Sequence, residues 1–233
     1  MTEIKNAVAL VTGGSRGIGK ELVEQLYRRG AAKVYATARD PKTITHPDAI
    51  PLALEVTDPE SAAEAARLAP DVTILINNAG GSAKADLLTA PIDRVRRDFE
   101  TNFFGPLQVT RAFVPVIEGN GGGHLLNVHS ALSWFADGNA YSASKAAFWS
   151  QTNSLRLTLH ARGITVTGLH VGYVDTDLTV GIDAPKVTVD LVAGKALDGI
   201  EAGAFEVLVD EISQQVKGAL SAPVEALYPQ LAR

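Results

Sequence analysis

The chain has 233 residues, 46% of them hydrophobic, a formal net charge of −5 and no cysteine. That length suits one domain with a full core, and the acidic balance offers no nucleic-acid footprint. The missing cysteines exclude disulfides, a thiol nucleophile and thiolate metal sites, and no apolar run approaches the ~18 residues that cross a bilayer.

Residues 7–11 form a short apolar run that ends at Thr12-Gly13-Gly14, the pattern of a strand buried on both faces. Ile18, Leu22 and Leu26 have helical spacing, and Gly30 is a stop signal. A second strand is expected over 33–38. The segment 40–51, with Pro41 and Pro47, reads as an irregular crossover. A third strand over 51–56 precedes a helix opened by Asp58-Pro59, a cap followed by a first-turn proline. Then come a fourth strand (72–76), one long helix (92–117) and a fifth strand (124–129). A helix from Tyr141 to about His160 leads to a sixth strand (164–170). A helix (189–202), a strand (205–209) and a helix (211–220) complete the regular part. Strands alternating with helices imply an α/β fold with a doubly wound parallel sheet between helical layers, in a single domain spanning 1–233.

The loop Thr12-Gly13-Gly14-Ser15-Arg16-Gly17-Ile18-Gly19 lies between the first strand and helix, the context of a Rossmann-type dinucleotide site. Gly13 permits the tight turn. Gly17 lets backbone N–H groups approach a pyrophosphate, and Gly19 lets the helix pack on the strand. The second strand ends Ala38-Arg39-Asp40. Arg39 and Arg16 together suit a ribose 2′-phosphate, so NADP(H) is favoured over NAD(H). In the opposing reading, Asp40 takes the ribose and Arg39 points to solvent.

Tyr141 and Lys145 stand four residues apart, which on a helix places them on one face. A tyrosine hydroxyl titrates near pH ~10 and is a poor base at neutrality. A nearby cation favours the phenolate, so the pair reads as a general acid/base.

The glycine loop, Asn77-Asn78-Ala79-Gly80, Ser130 and Tyr141-x-x-x-Lys145 occur in this order. Together they resemble the short-chain dehydrogenase/reductase family over nearly the whole chain. The resemblance implies a sheet of about seven strands and hydride transfer between a nicotinamide and a carbonyl or alcohol. It implies a catalytic tetrad of Asn102, Ser130, Tyr141 and Lys145. Tyr141 would exchange a proton with the substrate oxygen, and Ser130 would hydrogen-bond that oxygen. Lys145 would tune Tyr141 and hold the nicotinamide ribose, and Asn102 would help hold a water that links Lys145 to solvent. Cofactor contacts are expected from Gly13, Ser15, Arg16, Gly17, Ile18, Gly19, Arg39, Glu55, Val56, Asn77, Asn78, Ala79, Gly80, Tyr141, Lys145, Val174 and Thr176. The two Asn of 77–78 can also brace neighbouring strands.

Four departures from the family pattern stand out. Ser130 precedes Tyr141 by eleven residues, two fewer than is common, and Ser133 is a rival for its role. Glu55 replaces the usual Asp near the adenine, and Val171-Gly172 replaces Pro-Gly. The substrate lid, 177–187, is short.

Walls of the substrate site are expected from 81–88, 132–139 and the lid. Trp134 and Phe135 could flank an apolar ketone or pack in the core. His129 is read as structural, and the five histidines form no metal-ligand spacing, so no metal is expected. Phe148, Trp149 and Leu155 suggest a homodimer or homotetramer. The leading expectation is an NADPH-dependent carbonyl reductase, cytoplasmic, acting on a small ketone or aldehyde. An alcohol dehydrogenase working in the oxidising direction and a non-catalytic dinucleotide sensor are the alternatives.

Overall fold

The computed structural model describes residues 2–136 and 139–231. Seven parallel strands form one sheet: β1 (Val8–Val11), β2 (Lys33–Ala38), β3 (Ile50–Ala53), β4 (Ile74–Asn77), β5 (Gly123–Val128), β6 (Ile164–His170) and β7 (Glu206–Leu208). Their order is β3-β2-β1-β4-β5-β6-β7. The chain winds outward from β1 to β3, then returns past β1 to begin again at β4. Connections leave β1 and β4 in opposite directions, so a crevice opens at their carboxyl ends, where open α/β sheets bind ligands.

Helices α1 (Gly17–Arg28) and α6 (Val189–Ala202) cover one face. Leu22, Leu26, Leu197 and Ile200 pack there with Ala9, Val11, Ile74 and Ile76 of the strands. The other face is covered by α2 (Pro59–Leu68), α4 (Gly105–Gly119) and α5 (Ala140–His160). There Leu10, Leu75 and Leu125 meet Val109, Phe113, Ile117 and Leu159. Alternate residues of β1 and β4 thus enter opposite cores, which explains their unbroken apolar runs.

Local signals act as the sequence suggests. Asp58 accepts the Glu60 N–H at 2.9 Å and starts α2. Residues 39–49 are irregular, with one 3-10 turn at Pro41–Thr43. The third strand lies earlier than expected, at Ile50–Ala53.

The long helix expected over 92–117 is interrupted. It divides into α3 (Ile92–Phe99), a π-turn at Glu100–Phe104 and α4. Gly105 N–H donates to the Glu100 carbonyl, one residue further back than in an α-helix. Pro106 explains the break. Its ring crowds the carbonyl four residues earlier, that of Asn102, and it has no N–H to give to it. Such π-turns recur at functional sites.

The regular part also runs past the expected end. After α7 (Glu211–Gly218) come α8 (Val224–Leu227) and a 3-10 turn at Pro229–Leu231. No helix among the described residues is long and apolar enough to cross a membrane.

Candidate active site

The crevice is stitched shut at its base by Thr12. Its hydroxyl accepts the N–H groups of Asn78 and Ala79, each at 2.9 Å. Asn78 Nδ2 donates to the Thr12 carbonyl at 2.9 Å. These bonds fix the end of β1 to the end of β4. Sequence reasoning passed over Thr12, although its place between the strand and the first glycine is a signal.

The glycine loop fits a pyrophosphate. Gly13 and Gly17 have φ of +68° and +53°, a region that side-chain-bearing residues rarely adopt. A Cβ on Gly19 would lie 2.1 Å from the Gly13 carbonyl oxygen, so only glycine lets α1 start here. Arg16 occupies the N-cap and gives no side-chain hydrogen bond to the first turn. The N–H groups of that turn, with the helix dipole behind them, form an anion site. Ile18 packs into the core beneath the loop, and Ser15 is half-buried within it.

Charges around the loop divide unequally. Arg39 is exposed at the end of β2. The neighbouring Asp40 carboxylate accepts the Lys42 N–H at 3.0 Å and caps the 3-10 turn. Arg16 pairs with Asp177 of the short lid at 2.8 Å. Both side chains are about three-quarters exposed, so the pair adds little stability. It does tether the lid to the glycine loop.

The remaining cofactor candidates separate into those that reach the crevice and those that brace it. Thr176 reaches it: its Cγ2 lies 3.3 Å from where a Cβ on Gly17 would stand. Val174 is buried behind it, and its carbonyl accepts the Thr179 hydroxyl. Glu55 accepts the Thr57 N–H and hydroxyl with one carboxylate oxygen. Val56 packs against Gly105, where a Cβ would come within 3.0 Å. Asn77 is a brace. Its Nδ2 donates to Thr110 Oγ1 and to Asn127 Oδ1, both at 3.0 Å, joining β4 to β5 and α4.

Gly80 marks the meeting point of the loop after β4 with Asn102 and Lys145, two of the residues expected to be catalytic. A Cβ there would lie 3.1 Å from Asn102 Oδ1 and 3.6 Å from Lys145 Nζ. Asn102 is buried. Oδ1 accepts the Gly81 N–H at 3.1 Å, while Nδ2 donates to the Gly81 carbonyl and to Ser144 Oγ. Lys145 is buried too, and its Nζ donates to the Val128 carbonyl at 3.0 Å. Burial pushes its pKa down to about 8. The same Nζ lies 5.8 Å from the centroid of the Tyr141 ring. Tyr141 is half-buried, one turn earlier on α5.

Ser130 leaves the end of β5 and caps the turn Ala131–Ser133, accepting the Leu132 N–H at 3.1 Å. Its carbonyl accepts a hydrogen bond from His170 Nδ1–H at 3.4 Å. The Ser133 hydroxyl is enclosed with no hydrogen-bond partner among the described residues.

Behind Ser130 stands an aromatic column. Trp134 stacks on His170 with ring centroids 3.8 Å apart, and His170 stacks on His129 at 4.7 Å. His129 also hydrogen-bonds Thr152. Burial lowers the His170 pKa to about 3 and that of His129 well below its usual value. His129 is thus structural, as alternation along β5 suggested. Trp134 is buried, with Lys217 over its ring, so it belongs to the core. Phe135 stacks on Tyr228 of the C-terminal segment. Asp137 and Gly138, in the expected 132–139 wall, lie outside the described residues. Among the described residues no cluster could hold a metal ion.

The structure brings the glycine loop, Gly80, Asn102, Lys145 and Tyr141 to one crevice, and comparison with known proteins shows the family. The family profile described as short chain dehydrogenase matches residues 7–186. The chain belongs to the short-chain dehydrogenase family. A crystal structure of a short-chain dehydrogenase from Burkholderia cenocepacia in complex with NADP is 36% identical, with a TM-score of 0.93 over 99% of both chains. The 1-deoxy-11-beta-hydroxypentalenate dehydrogenase of Streptomyces exfoliatus is 34% identical over 78% of this chain and 73% of its own length. A Drosophila melanogaster dehydrogenase/reductase is 30% identical over 76% of this chain; the match spans 60% of that relative's length. A short-chain dehydrogenase from Burkholderia phymatum in complex with NAD shares the fold at a TM-score of 0.85, with 20% identity. As a family member, the chain is a nucleotide-binding oxidoreductase on a Rossmann-type fold.

Proposed function

We propose that this short-chain dehydrogenase is an NADPH-dependent reductase of a ketone or aldehyde. One observation carries the reading: the buried Lys145 ammonium, next to Tyr141, stands against Gly80 of the nucleotide loop. Tyr141 donates its phenolic proton to the substrate oxygen. Lys145 favours the phenolate that results, because a cation in a dry site stabilises a nearby anion. Ser130 donates to the same oxygen and steadies the charge that develops there. The enclosure of the Ser133 hydroxyl favours Ser130 over its rival. Both Asn102 Nδ2 protons are used and Oδ1 already accepts one bond, so the reading gives the water on the proton route to its backbone carbonyl, for which Pro106 offers no donor. The glycine loop, Thr176 and Lys145 would hold the dinucleotide, and the nicotinamide supplies hydride to the carbonyl carbon.

Two points support NADP(H). One Asp40 carboxylate oxygen already accepts the Lys42 N–H, which leaves that carboxylate less free to take a ribose hydroxyl. The Burkholderia cenocepacia relative was crystallised with NADP. Turnover of a panel of ketones, read at the NADPH absorbance band and repeated with NADH, tests the reading. No reduction of any carbonyl, or a preference for NADH, overturns the corresponding half. Of the residues expected to meet a second copy, Phe148 is buried against His129 and Trp149 donates to Glu206. Leu155 lines a groove with Phe103, Leu107 and Ala147 and with the polar Ser150, Gln151, Ser154 and Thr158, and this is the surface that would pair with a second copy. A stable monomer in sedimentation would refute that.

A further inference from the structure

Beyond the tetrad, α3 carries two polar residues, Arg94 and Asp98, that the reaction does not use directly and that stand in line with Asn102 of the π-turn. Arg94, Asp98 and Asn102 follow one another at intervals of four, and all three grip the same short strap of backbone. Asp98 Oδ1 accepts the Ala83 N–H at 2.7 Å. Arg94 donates to the Ala83 carbonyl, so both backbone polar groups of this residue are held. Asn102 does the same for Gly81.

The strap is itself built, not slack. Lys84 has φ of +50°, an uncommon conformation for a residue with a side chain, which persists only where surroundings over-determine it. Ala85 is fully buried, and its carbonyl accepts the Ala140 N–H at 2.9 Å. Asp86 pairs with Asn139 in an antiparallel bridge. Asn139 in turn caps α5 by accepting the Ser142 N–H. Residues 81–86 therefore connect α3 to the turn of α5 that carries Tyr141.

Asp98 is the costly member of this row. It is 2% exposed, its Oδ2 has no partner among the described residues, and burial raises its pKa despite Arg94 and Arg97 nearby. A buried carboxyl with one empty oxygen costs free energy in the core. Its single strong bond goes to the strap.

We propose that Asp98, assisted by Arg94, is a positioning residue: it fixes the strap 81–86 and through Ala85 and Ala140 sets the placement of Tyr141. This rests on the assignment of Tyr141 as the acid/base. Misplacement by about 1 Å costs on the order of 100-fold in such reactions, so the strap has leverage on kcat.

The test compares Asp98→Ala, Asp98→Asn and Arg94→Ala with the unaltered chain and with Tyr141→Phe. Two readouts are taken: amide hydrogen exchange at Ala83 and Ala140, and kcat and KM for a ketone with NADPH. In Asp98→Ala both amides should exchange at least about tenfold faster, kcat should fall on the order of 10- to 100-fold, and KM for NADPH should stay within about threefold. Asp98→Asn keeps an acceptor for Ala83 and should recover most of the loss. Arg94→Ala should move both readouts in the same direction by less. If Asp98→Ala fails to fold, the other two variants decide. Ala140 exchange at the unaltered rate in Asp98→Ala, or in Arg94→Ala where Asp98→Ala does not fold, overturns the proposal. So does a loss that the Asn variant fails to recover. A chain that reduces no carbonyl sinks the reductase reading alone, because the exchange rates still decide the strap.

Discussion

Lys145 donates its ammonium to the Val128 carbonyl, 3.0 Å away, and so ties the Tyr141 helix to the last residue of β5. Ser130 follows Val128 by two residues. One buried bond therefore ties the proposed acid/base pair to the strand end that leads to Ser130, across the connection of ten residues that separates Ser130 from Tyr141. Trp134, inside that connection, is anchored on His170.

Removing either half of the pair should stop the chemistry while sparing the nucleotide loop. Tyr141→Phe should lower kcat by about 100- to 10,000-fold, the usual contribution of a general acid. NADPH binding, read by fluorescence titration, should change by less than about threefold. Retained turnover in the phenylalanine variant would rule out the proposed proton donor.

Lys145 also makes a prediction about stability. Its pKa falls from 10.5 in the unfolded chain to about 8 when folded. Between these values the unfolded chain holds the extra proton, so stability rises with pH across that window. Below pH 8 the buried charge costs the fold on the order of 3 kcal/mol. Lys145→Met should raise the melting temperature of the cofactor-free protein at pH 7 while abolishing turnover. The gap should narrow as pH approaches 10. A variant that melts lower than the unaltered chain at pH 7 counts against this.

Three buried histidines govern the acid limb. His124 titrates at about 4, His170 at about 3 and His129 well below its usual value, all through burial. Each stays neutral in the fold and takes up a proton on unfolding below pH 6.5. Stability should fall as pH drops from 6.5 toward 4, by up to about 4 kcal/mol per pH unit once all three unfolded imidazoles are charged. Urea denaturation at pH 7, 6 and 5 measures the slope. Equal midpoints at pH 7 and pH 5 would show that the histidines are not linked to folding.

Cofactor choice should rest on Arg39. Arg39→Asp should raise KM for NADPH about 10- to 100-fold, the loss of a charge-assisted bond with added repulsion, and improve use of NADH. Asp177→Asn should act in the opposite sense, by freeing Arg16 from its ion pair with the lid. Michaelis constants for both cofactors in both variants check this; an unchanged NADPH constant in Arg39→Asp would place the 2′-phosphate elsewhere.

The glycine loop leaves little room for substitution. A Cβ on Gly19 would meet the Gly13 carbonyl at 2.1 Å, backbone that cannot move aside. Gly19→Ala should cost several kcal/mol or prevent folding, by the mechanism of overpacking. Thermal melting is sufficient to see it, and a shift under about 2 °C would contradict the close approach.

Much of this protein is written locally in its chain. The apolar run 7–11, closed by the glycines that follow it, reads as a strand with both faces covered. Asp58-Pro59 starts a helix wherever it stands. Glycines at 13, 17 and 19 between a strand and a helix have few other uses. These signals depend on neighbours in sequence, so the fold class and the dinucleotide loop could be read from them. The π-turn at Asn102 was legible in principle from Pro106, but a helical period spans it without a visible break.

What tertiary structure alone decided concerns partners distant along the chain. It made Asn77 a brace to Asn127 and left Gly80 against Lys145. It turned Trp134 into the core onto His170, gave Arg16 to Asp177, and set Asp98 on the backbone of Ala83. Periodicity tells which face a side chain occupies, but not what waits there. That depends on which strands the crossovers bring together, and a hydrogen bond is settled by fractions of an ångström that no sequence spacing encodes.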